Sequence, residues 1–425
     1  TYYTIQAKEL WNLINICATY SAEPGLFFID NANEQTNAQS YEQKVVCTNP
    51  CGEQPLAPYS VCNLAAINMA NFANDAGNDA DWDKLKQTIQ TAVRLQDNVI
   101  DKTHYFLDKN STQALGERRI GLGVMGLHDL LIWAGYRYGS KESLAFIDKL
   151  FNFMAETAYA TSIEIAQEKG PFPFLDSQAA RERMVNTGYM KKMPEYIRDG
   201  VLEHGIRNSH LLTIAPTGST GTMIGVSTGL EPYFAFSYFR SGRLGKFIEV
   251  NAPIVDEYLA KHPEHDKEKL PDIFISAMEL SPEEHVDVQT TIQKWVDSSI
   301  SKTVNAPKGY TVEEVHEVYQ RLYRGGAKGG TVYVDGSRDA QILSLSKDDD
   351  DSPKQFDMAE YGIDTPEEKK APKEVKDAGA RSDRQDRNIG NEVGDLCPIC
   401  LEGVVEEIGG CNTCTNCNAQ LKCGL

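Results

Sequence analysis

The stretch from Asn49 to Cys62 carries the side chains with the most obvious chemistry. It reads Asn-Pro-Cys-Gly-Glu-Gln-Pro-Leu-Ala-Pro-Tyr-Ser-Val-Cys, and its three prolines and one glycine disfavour both a helix and a paired strand. In an extended backbone, alternate residues point to one face, so Asn49, Cys51 and Glu53 would place an amide, a thiol and a carboxylate side by side. The alternative is a solvent loop with a structural cysteine. We favour a reactive loop because a second thiol, Cys62, follows.

This pattern, Asn49-Pro-Cys-Gly-Glu followed by Pro-Tyr-x-x-Cys-Asn-Leu, resembles the finger loop of ribonucleotide reductases. The resemblance implies that Cys51 becomes a thiyl radical and takes the hydrogen from C3′ of the ribose. It also implies that Glu53 accepts the 3′-hydroxyl proton, that Asn49 holds the 2′-hydroxyl, and that Cys62 is one half of the dithiol that supplies two electrons. These roles agree with side-chain chemistry, since a carboxylate is a general base and two thiols deliver two electrons by forming a disulfide.

The other thiol of that dithiol has no good candidate in this sequence. Cys17 lies in a helical pattern, and Cys47 is too near the radical position to be the distant partner that the family uses. We therefore expect the partner of Cys62 to lie on another polypeptide or on a segment outside this one. By the resemblance, about the first half of the barrel and the allosteric nucleotide site lie outside the chain. We expect it to need a complementary N-terminal half, because alone it would expose sheet edges.

A second candidate site follows a short apolar run, in Ala215-Pro-Thr-Gly-Ser-Thr-Gly. Free N–H groups and hydroxyls at the start of a helix suit a phosphate, although such a turn is more often only a capped helix start. The motif, with Gly229-Leu-Glu-Pro-Tyr-Phe after it, is similar to the phosphate turn of the reductases. The resemblance implies a substrate site formed by Asn49, Pro50, Cys51, Gly52, Glu53, Pro216, Thr217, Gly218, Ser219 and Thr220.

A third segment, Arg118-Arg-Ile-Gly-Leu-Gly-Val-Met-Gly, is rich in glycine. Gly-x-Gly-x-x-Gly alone is a weak sign of dinucleotide binding, and no acidic residue follows a clear strand at the proper distance. We interpret these glycines as positions where a strand and a helix pack closely against the barrel.

The sequence near Tyr333 discriminates between reductase classes. Reductases that import their radical from a separate subunit have two adjacent tyrosines on this strand, whereas Tyr333 lies between Val332 and Val334. The glycyl-radical setting of the anaerobic class is also missing from the sequence. Ser301-Lys-Thr-Val-Asn-Ala-Pro and Thr331-Val-Tyr-x-Asp-Gly-Ser-Arg resemble the adenosylcobalamin-dependent class, which usually has arginine where this chain has Val334. In that class, the cofactor supplies the radical by homolysis of its cobalt–carbon bond.

The C-terminal region differs from the rest of the chain. Residues 347–395 are highly charged and poor in branched aliphatics, so we interpret them as a tether rather than as an acidic binding patch. Beyond it, two Cys-x-x-Cys knuckles predict a zinc ribbon. The predicted ligands are Cys397, Cys400, Cys414 and Cys417, with Cys411 as an alternative to Cys417. We interpret Cys411 and Cys423 as a swinging dithiol that re-reduces the active-site disulfide; the alternative is that all six thiols bind metal or are idle.

Charge and composition exclude other classes of protein. The chain has 425 residues, is 41% hydrophobic and carries a net charge of −19, which argues against nonspecific binding to nucleic acid. No window is apolar and long enough to cross a membrane, so we expect a cytoplasmic protein. Amphipathic and apolar patterns predict helices over 7–20, 79–101, 286–303 and 311–323.

Together these observations predict an α/β protein. Residues 1–342 would form the C-terminal part of the ten-stranded reductase barrel, 343–395 a flexible charged linker, and 396–425 a Cys-rich zinc ribbon and redox tail. The resemblance implies reduction of ribonucleotides, as diphosphates, to 2′-deoxyribonucleotides for DNA synthesis. It further implies adenosylcobalamin, a thioredoxin-like or dithiol reductant, and a homodimer of the complete enzyme. Two alternatives stay open: a large subunit that uses a separate radical-generating subunit, and a non-catalytic zinc-ribbon interaction protein.

Overall fold

The computed structural model describes residues 4–242, 245–267, 269–337, 343–344, 393–395, 397, 403–408, 411–417 and 420–423. Most of the linker predicted at 343–395 and the predicted zinc ligand Cys400 lie outside these residues. The chain divides into two compact units. The first includes Thr1–Ser237 and Asn251–Asp339, and the second includes Tyr238–Val250 and Lys354–Leu425. In the described residues, no helix combines the length and the apolar character that crossing a membrane requires.

The helices of the described residues all lie in the first unit. They are α1 (Ala7–Ser21), α2 (Ile29–Gln35), α3 (Trp82–Lys102), α4 (Asp108–Glu117), α5 (Leu127–Trp133), α6 (Lys141–Lys169), α7 (Gln178–Val185), α8 (Glu195–His204), α9 (Gly218–Ile224), α10 (Pro253–Lys261), α11 (Pro282–Gln293) and α12 (Val312–Arg324). Short 3₁₀ helices span Asn37–Tyr41, Met69–Phe72 and Met190–Lys192.

Three of the four predicted helices are confirmed, and the fourth is wrong in its second half. The helix predicted over 286–303 corresponds to α11, which begins with a capping box between Ser281 and Glu284 and ends at Gln293. Beyond it, the Ser298 and Ser301 N–H groups donate to the carbonyls of Leu212 and Ile214, at 3.0 and 2.9 Å. The chain here turns and then runs beside the segment 211–214, with an isolated parallel bridge at Ile300, because these hydrogen bonds outweigh the helical pattern and serine is a weak helix former.

The strands of the described residues are mostly short. They are β1 (Leu26–Phe27), β2 (Cys47–Thr48), β3 (Pro55–Leu56), β4 (Asn63–Asn68), β5 (Ile120–Met125), β6 (Ser237–Gly242), β7 (Gly245–Asn251), β8 (Thr303–Ala306), β9 (Gly329–Val334), β10 (Leu343–Ser344), β11 (Val405–Ile408), β12 (Cys411–Cys414) and β13 (Gln420–Cys423).

The first unit is built around a run of parallel segments. β4 pairs with β5, and Leu122 of β5 bridges to Leu212. Ile214, in the segment 211–214, forms a parallel bridge to Ile300. The strand β8, which follows Ile300, pairs with β9. β1 then closes this edge as an antiparallel neighbour of β9. Within the described residues, this array is open and does not close into a barrel.

The glycines of the third sequence motif let neighbouring segments approach closely, as the sequence analysis predicted. Gly121 and Gly123 lie on β5, where every residue is buried. A Cβ at Gly123 would overlap the carbonyl oxygen of Thr213 on the next segment. Helix α3 packs against β4 and β5, α6 packs against α3, and the apolar side chains of both helices belong to the main core with Leu122, Val124 and Leu212. This packing fixes the strands whose ends carry the candidate site.

The second unit contains two three-stranded sheets, with strand orders β10-β6-β7 and β11-β12-β13, and the second of these is antiparallel throughout. In the second of these sheets, β12 is the central strand, and Cys411 stands opposite Cys423 in its register with β13.

Candidate active site

The finger-loop sequence forms a tight hairpin between β2 and β3. Cys47 pairs with Leu56 and Thr48 with Pro55. Residues Asn49 to Gln54 cross from one strand to the other, and the Asn49 side chain supports the crossing because its Oδ1 accepts the Gln54 N–H at 3.0 Å. An asparagine that bonds to a backbone N–H a few residues on is a common way of holding a turn.

The tip of this hairpin is a turn, so the extended backbone predicted for it is wrong. The Gly52 N–H donates to the Asn49 carbonyl at 3.1 Å, and Gly52 has a φ of 78°. A left-handed φ favours glycine, which explains its place directly after the cysteine. Because of this turn, the two candidate side chains differ in solvent exposure: Cys51 is exposed, whereas Glu53 is 2% exposed. Even so, Glu53 is close enough for its charge to act on the Cys51 thiol.

Backbone hydrogen bonds hold Glu53 in place, and one of its carboxylate oxygens is not hydrogen-bonded within the described residues. Its carbonyl accepts hydrogen bonds from the Thr213 hydroxyl at 2.7 Å and from the Ser299 N–H at 2.9 Å. Its Oε2 is buried and has no hydrogen-bond partner among the described residues. A buried acceptor without a donor is unfavourable by about 1–3 kcal/mol, which a substrate hydroxyl would relieve.

Cys51 opens onto a cavity of about 470 Å³. The cavity is lined by Pro50, Cys51 and Gly52 of the loop, by Ser301 and Lys302 before β8, and by parts of β1 and β9. Burial of part of the Cys51 side chain, together with the negative charge of Glu53, raises the pKa of its thiol. Cys51 therefore keeps its proton at neutral pH, and the protonated thiol is the form that has a hydrogen atom to give.

Cys62 lies just before β4 and is half-buried. Its Sγ donates to the Asn63 carbonyl at 3.3 Å. Burial, followed by the charges of nearby carboxylates, raises the pKa of its thiol. Within the described residues no other cysteine joins Cys62 in a disulfide.

The predicted phosphate turn begins α9, as the sequence analysis expected. Thr217 takes the left-handed conformation, with a φ of 45°, and its hydroxyl accepts the Gly229 N–H at 2.7 Å instead of capping the helix. Gly218, Ser219 and Thr220 are exposed, while Pro216 and Thr217 are half-buried. A non-glycine residue with a left-handed backbone, such as Thr217, is strained by about 1 kcal/mol or more, and such strain clusters at functional sites.

The turn and the finger loop are connected through one segment but do not share the cavity. Thr213 binds the Glu53 carbonyl, and three residues later the chain reaches Pro216. The residues predicted to bind phosphate are not part of the lining around Cys51.

One buried charge network near the cavity received no role in the sequence analysis. The Lys302 ammonium, with a side chain 0% exposed, donates to Glu231 Oε2 at 2.5 Å and lies 3.0 Å from His285 Nδ1. The other Glu231 oxygen accepts the Thr303 N–H at 2.7 Å. A lysine inside Ile300-Ser-Lys-Thr-Val was the available signal, because a charged residue in a buried strand needs a partner.

Three cysteines of the tail lie together in the second unit. The Sγ atoms of Cys397, Cys414 and Cys417 are all within 4.8 Å of one another. Backbone N–H groups of Asn416 and Cys417 donate to Cys414 Sγ at 3.4 Å, as in the knuckle of a metal site. The side chains of Cys411 and Cys423 lie outside the described part of the structure, although their backbones are directly paired.

Comparison with known proteins places most of the chain in one family. A family model described as "Ribonucleotide reductase, barrel domain" matches residues 1–333. The vitamin B12-dependent ribonucleoside-diphosphate reductase of Thermoplasma acidophilum is 32% identical over 382 residues, which are 85% of this chain and 47% of that protein. The corresponding protein of Mycobacterium tuberculosis is 34% identical over 360 residues, covering 80% and 48%. The ribonucleoside-diphosphate reductase subunit alpha of Chlamydia muridarum is 28% identical over 392 residues, covering 81% and 36%. The chain thus spans about half the length of the first two relatives.

Proposed function

The chain belongs to the ribonucleotide reductase barrel-domain family, and on that premise we propose that it forms the catalytic C-terminal part of an adenosylcobalamin-dependent ribonucleoside-diphosphate reductase. The observation that carries the proposal is the pairing of an exposed Cys51 thiol, kept protonated, with a buried Glu53 oxygen that has no hydrogen-bond donor among the described residues. The named activities of the B12-dependent relatives support the choice of cofactor and of diphosphate substrates.

In the proposed reaction, Cys51 transfers hydrogen atoms and Glu53 transfers a proton. The Cys51 sulfur, once it has lost its hydrogen atom, takes the hydrogen from C3′ of the ribose. Glu53 Oε2 accepts the 3′-hydroxyl proton, and the substrate thereby supplies a donor that the described part of the chain does not provide. The Asn49 amide, whose oxygen already accepts the Gln54 N–H, offers its Nδ2 donors to the 2′-hydroxyl. One thiol of the reducing pair protonates the 2′-hydroxyl, which leaves as water, and the two thiols supply two electrons by becoming a disulfide, with their second proton going to C2′. Cys51 then returns the hydrogen atom to C3′, and Glu53 returns the proton to the 3′-oxygen, so that both residues are restored.

The residues around Cys51 fit a cofactor that acts by removing a hydrogen atom. Cys51 is exposed on an open cavity, and its raised pKa preserves the S–H bond that such a cofactor must reach. When bound, adenosylcobalamin supplies the radical that this step requires. Pro50 and Gly52 hold the thiol at the cavity, since one fixes its own φ and the other adopts the left-handed conformation of the turn.

The substrate phosphates are proposed to bind at Pro216–Thr220. The exposed N–H groups of Gly218, Ser219 and Thr220 support this assignment, because the start of a helix carries free donors and a positive dipole end. The ribose would then extend along the segment that Thr213 ties to Glu53.

The proposed barrel has ten strands, half of which this chain supplies. The open array of parallel segments supports this proposal, because its edge strand β4 pairs only on its β5 side within the described residues. Leu64 on β4 is 48% exposed. A complementary N-terminal half would cover this edge and supply the second thiol of the Cys62 pair. We further propose that the complete enzyme is a cytoplasmic homodimer.

The Cys-rich tail is proposed to be a zinc ribbon with a redox pair. Cys397, Cys414 and Cys417 fit a zinc ion, and Cys400 would be the fourth ligand. Zinc would supply folding free energy to a segment with little core. Cys411 and Cys423, which stand opposite each other on β12 and β13, would exchange electrons with the active-site disulfide and with a thioredoxin-like or dithiol reductant.

The test is deoxynucleotide formation from a ribonucleoside diphosphate. The chain is mixed with a complementary N-terminal reductase segment, adenosylcobalamin and a dithiol. Cys51→Ser should abolish product, because the hydroxyl does not exchange hydrogen atoms with the radical. The matched control is Cys47→Ser, which changes an exposed cysteine on the same hairpin and should leave product formation intact. Cys62→Ser should prevent repeated turnover.

The same assay separates the alternatives. Product that requires a separate radical-generating subunit and not adenosylcobalamin would indicate the other class of large subunit. A chain that binds zinc but forms no product with its missing half restored would indicate a non-catalytic interaction protein.

A further inference from the structure

Arg119 is a buried cation beside the finger loop, and the function proposed above gives it no role. Its side chain is 0% exposed, and its Nη1 donates to the carbonyl of Pro55, on the returning strand of the finger-loop hairpin, at 3.0 Å. Its Nε lies 3.7 Å from Glu117 Oε1 and makes no hydrogen bond within the described residues. A guanidinium has five N–H donors; apart from the bond to Pro55, the Arg119 Nη2 lies 3.5 Å from His210 Nε2, and its Nε has no acceptor within the described residues.

The pairing of β4 with β5 places Arg119 next to Cys62. The two strands are parallel, with Asn63 opposite Ile120. Cys62 and Arg119 directly precede these two strands, one position before the first paired residues, and residues at matching positions of neighbouring extended segments project from the same face. Gly121, two residues after Arg119, verifies the face, because a Cβ there would lie 2.9 Å from Cys62 Sγ.

The charged groups around Cys62 shift the pKa of its thiol in opposite directions. Burial raises the pKa of its thiol, and the carboxylates Glu117, Asp297 and Glu53 act in the same direction. Arg119 acts in the opposite direction and favours the thiolate. Glu117 is itself fixed, since its Oε2 accepts the Tyr41 hydroxyl at 2.9 Å.

We propose that Arg119 is a positioning residue for the redox thiol: its guanidinium holds the returning arm of the finger loop and stabilises the Cys62 thiolate formed when the active-site disulfide is reduced. This inference rests on the role proposed for Cys62. It explains why a cation is buried at a position where an apolar residue would pack at lower desolvation cost.

The exchange step defines where the negative charge appears. A thiolate of the reducing dithiol attacks the partner sulfur of Cys62 and forms a new S–S bond with it. The bond to Cys62 breaks, and its electron pair stays on the Cys62 sulfur, next to Arg119. The second thiol of the reductant then displaces the partner sulfur, so that the dithiol becomes a disulfide, and both released thiolates take up the protons that the dithiol gave up. A leaving sulfur with a stabilised thiolate departs faster.

The test measures the thiolate of Cys62 directly. The full chain is alkylated with iodoacetamide at one mildly alkaline pH, and the modified cysteines are quantified by peptide mass spectrometry. Arg119→Gln should slow alkylation of Cys62 by at least about tenfold, because a nearby opposite charge shifts a pKa by at least about one unit. Arg119→Lys, which keeps the charge, should stay within a few-fold of the parent, and Glu117→Gln should react faster. The exposed Cys47 serves as the internal reference.

A second variant guards against misfolding. Arg119→Gln leaves Glu117 buried without its cation, whereas the double variant Glu117→Gln/Arg119→Gln leaves no unpaired charge. Its Cys62 should react more slowly than that of Glu117→Gln alone. Equal Cys62 rates in all variants would overturn the inference, and so would faster modification in both single Arg119 variants, which would indicate a purely structural role. The measurement uses no nucleotide or cofactor, so a failure to reduce ribonucleotides would leave its outcome unchanged.

Discussion

Replacing Glu231 by glutamine should destabilise the chain by about 2–3 kcal/mol, although it changes one atom of a side chain at the edge of the core. The Lys302 ammonium is completely buried and depends on Glu231 Oε2 at 2.5 Å for its charge partner. Hydrogen bonds to charged groups contribute about 1.5–3 kcal/mol, and breaking a buried ion pair is unfavourable by about 3–5 kcal/mol. Glutamine keeps one acceptor for the Lys302 ammonium, and the Thr303 carbonyl remains 3.0 Å from the Lys302 Nζ. The expected loss therefore lies near the value for one hydrogen bond to a charged group, below the value for a completely broken buried ion pair.

The measurement is the free energy of unfolding of the full chain in urea, monitored by tryptophan fluorescence. The matched control is Asp287→Asn, which removes the charge of an exposed pair with Arg321 whose side chains are 38% and 47% exposed. That change should lower the free energy of unfolding by less than about 1 kcal/mol. A double variant, Glu231→Gln with Lys302→Met, should recover part of the lost stability because no ammonium is left buried. If Glu231→Gln and Asp287→Asn lowered the stability equally, the reasoning about the buried network would be refuted.

Two further predictions concern the two cysteine sites. Glu53→Gln should make Cys51 react faster with iodoacetamide near its pKa, because partial burial and the Glu53 charge hold that pKa above its ordinary value and the substitution removes the second cause. Peptide mass spectrometry checks this rate against Cys47, and an unchanged rate would argue that the carboxylate does not face the thiol. Removing the proposed zinc ion with a chelator should abolish the ordered structure around Cys397, Cys414 and Cys417 and leave the first unit folded. Amide hydrogen exchange checks this, with protection of β12 retained after chelation as the contrary result.

Local chemistry was predictable from the sequence wherever adjacent residues determine it. The finger-loop motif predicted the family that residues 1–333 match. Proline and glycine positions predicted the loop, and the pattern after Pro216 predicted the start of α9. The turn at Gly52 was missed because alternation assumes an extended backbone, whereas the Asn49 carbonyl accepts the Gly52 N–H. Local pattern was therefore sufficient to predict the family, the loop and the start of α9, but not the direction in which each side chain points.

Contacts between distant segments were not predictable in the same way. The surroundings of Glu53 come from Thr213 and Ser299, which are 160 and 246 positions later in the chain. The second half of the helix predicted over 286–303 was wrong for the same reason, because the pattern of 294–303 is compatible with a helix and only the neighbouring segment supplies the competing sheet hydrogen bonds. Arg119 received no role in the sequence analysis, because nothing in its own motif indicates that the pairing of β4 with β5 brings Cys62 beside it.

One short segment controls the geometry of both proposed substrate contacts. The Asp297 carboxylate accepts the N–H groups of Leu211 and Leu212 at 2.7 and 2.9 Å, and the Tyr159 hydroxyl donates to the same carboxylate at 2.6 Å. Thr213 then fixes the Glu53 carbonyl, and Thr217 starts the turn proposed to bind phosphate. A shift of this segment would therefore move the proposed base and the proposed phosphate site together, so their separation stays constant. A reaction at C3′ of a nucleotide requires a constant distance between the proposed base and the proposed phosphate site, because the nucleotide itself has a fixed distance between its phosphate and its C3′.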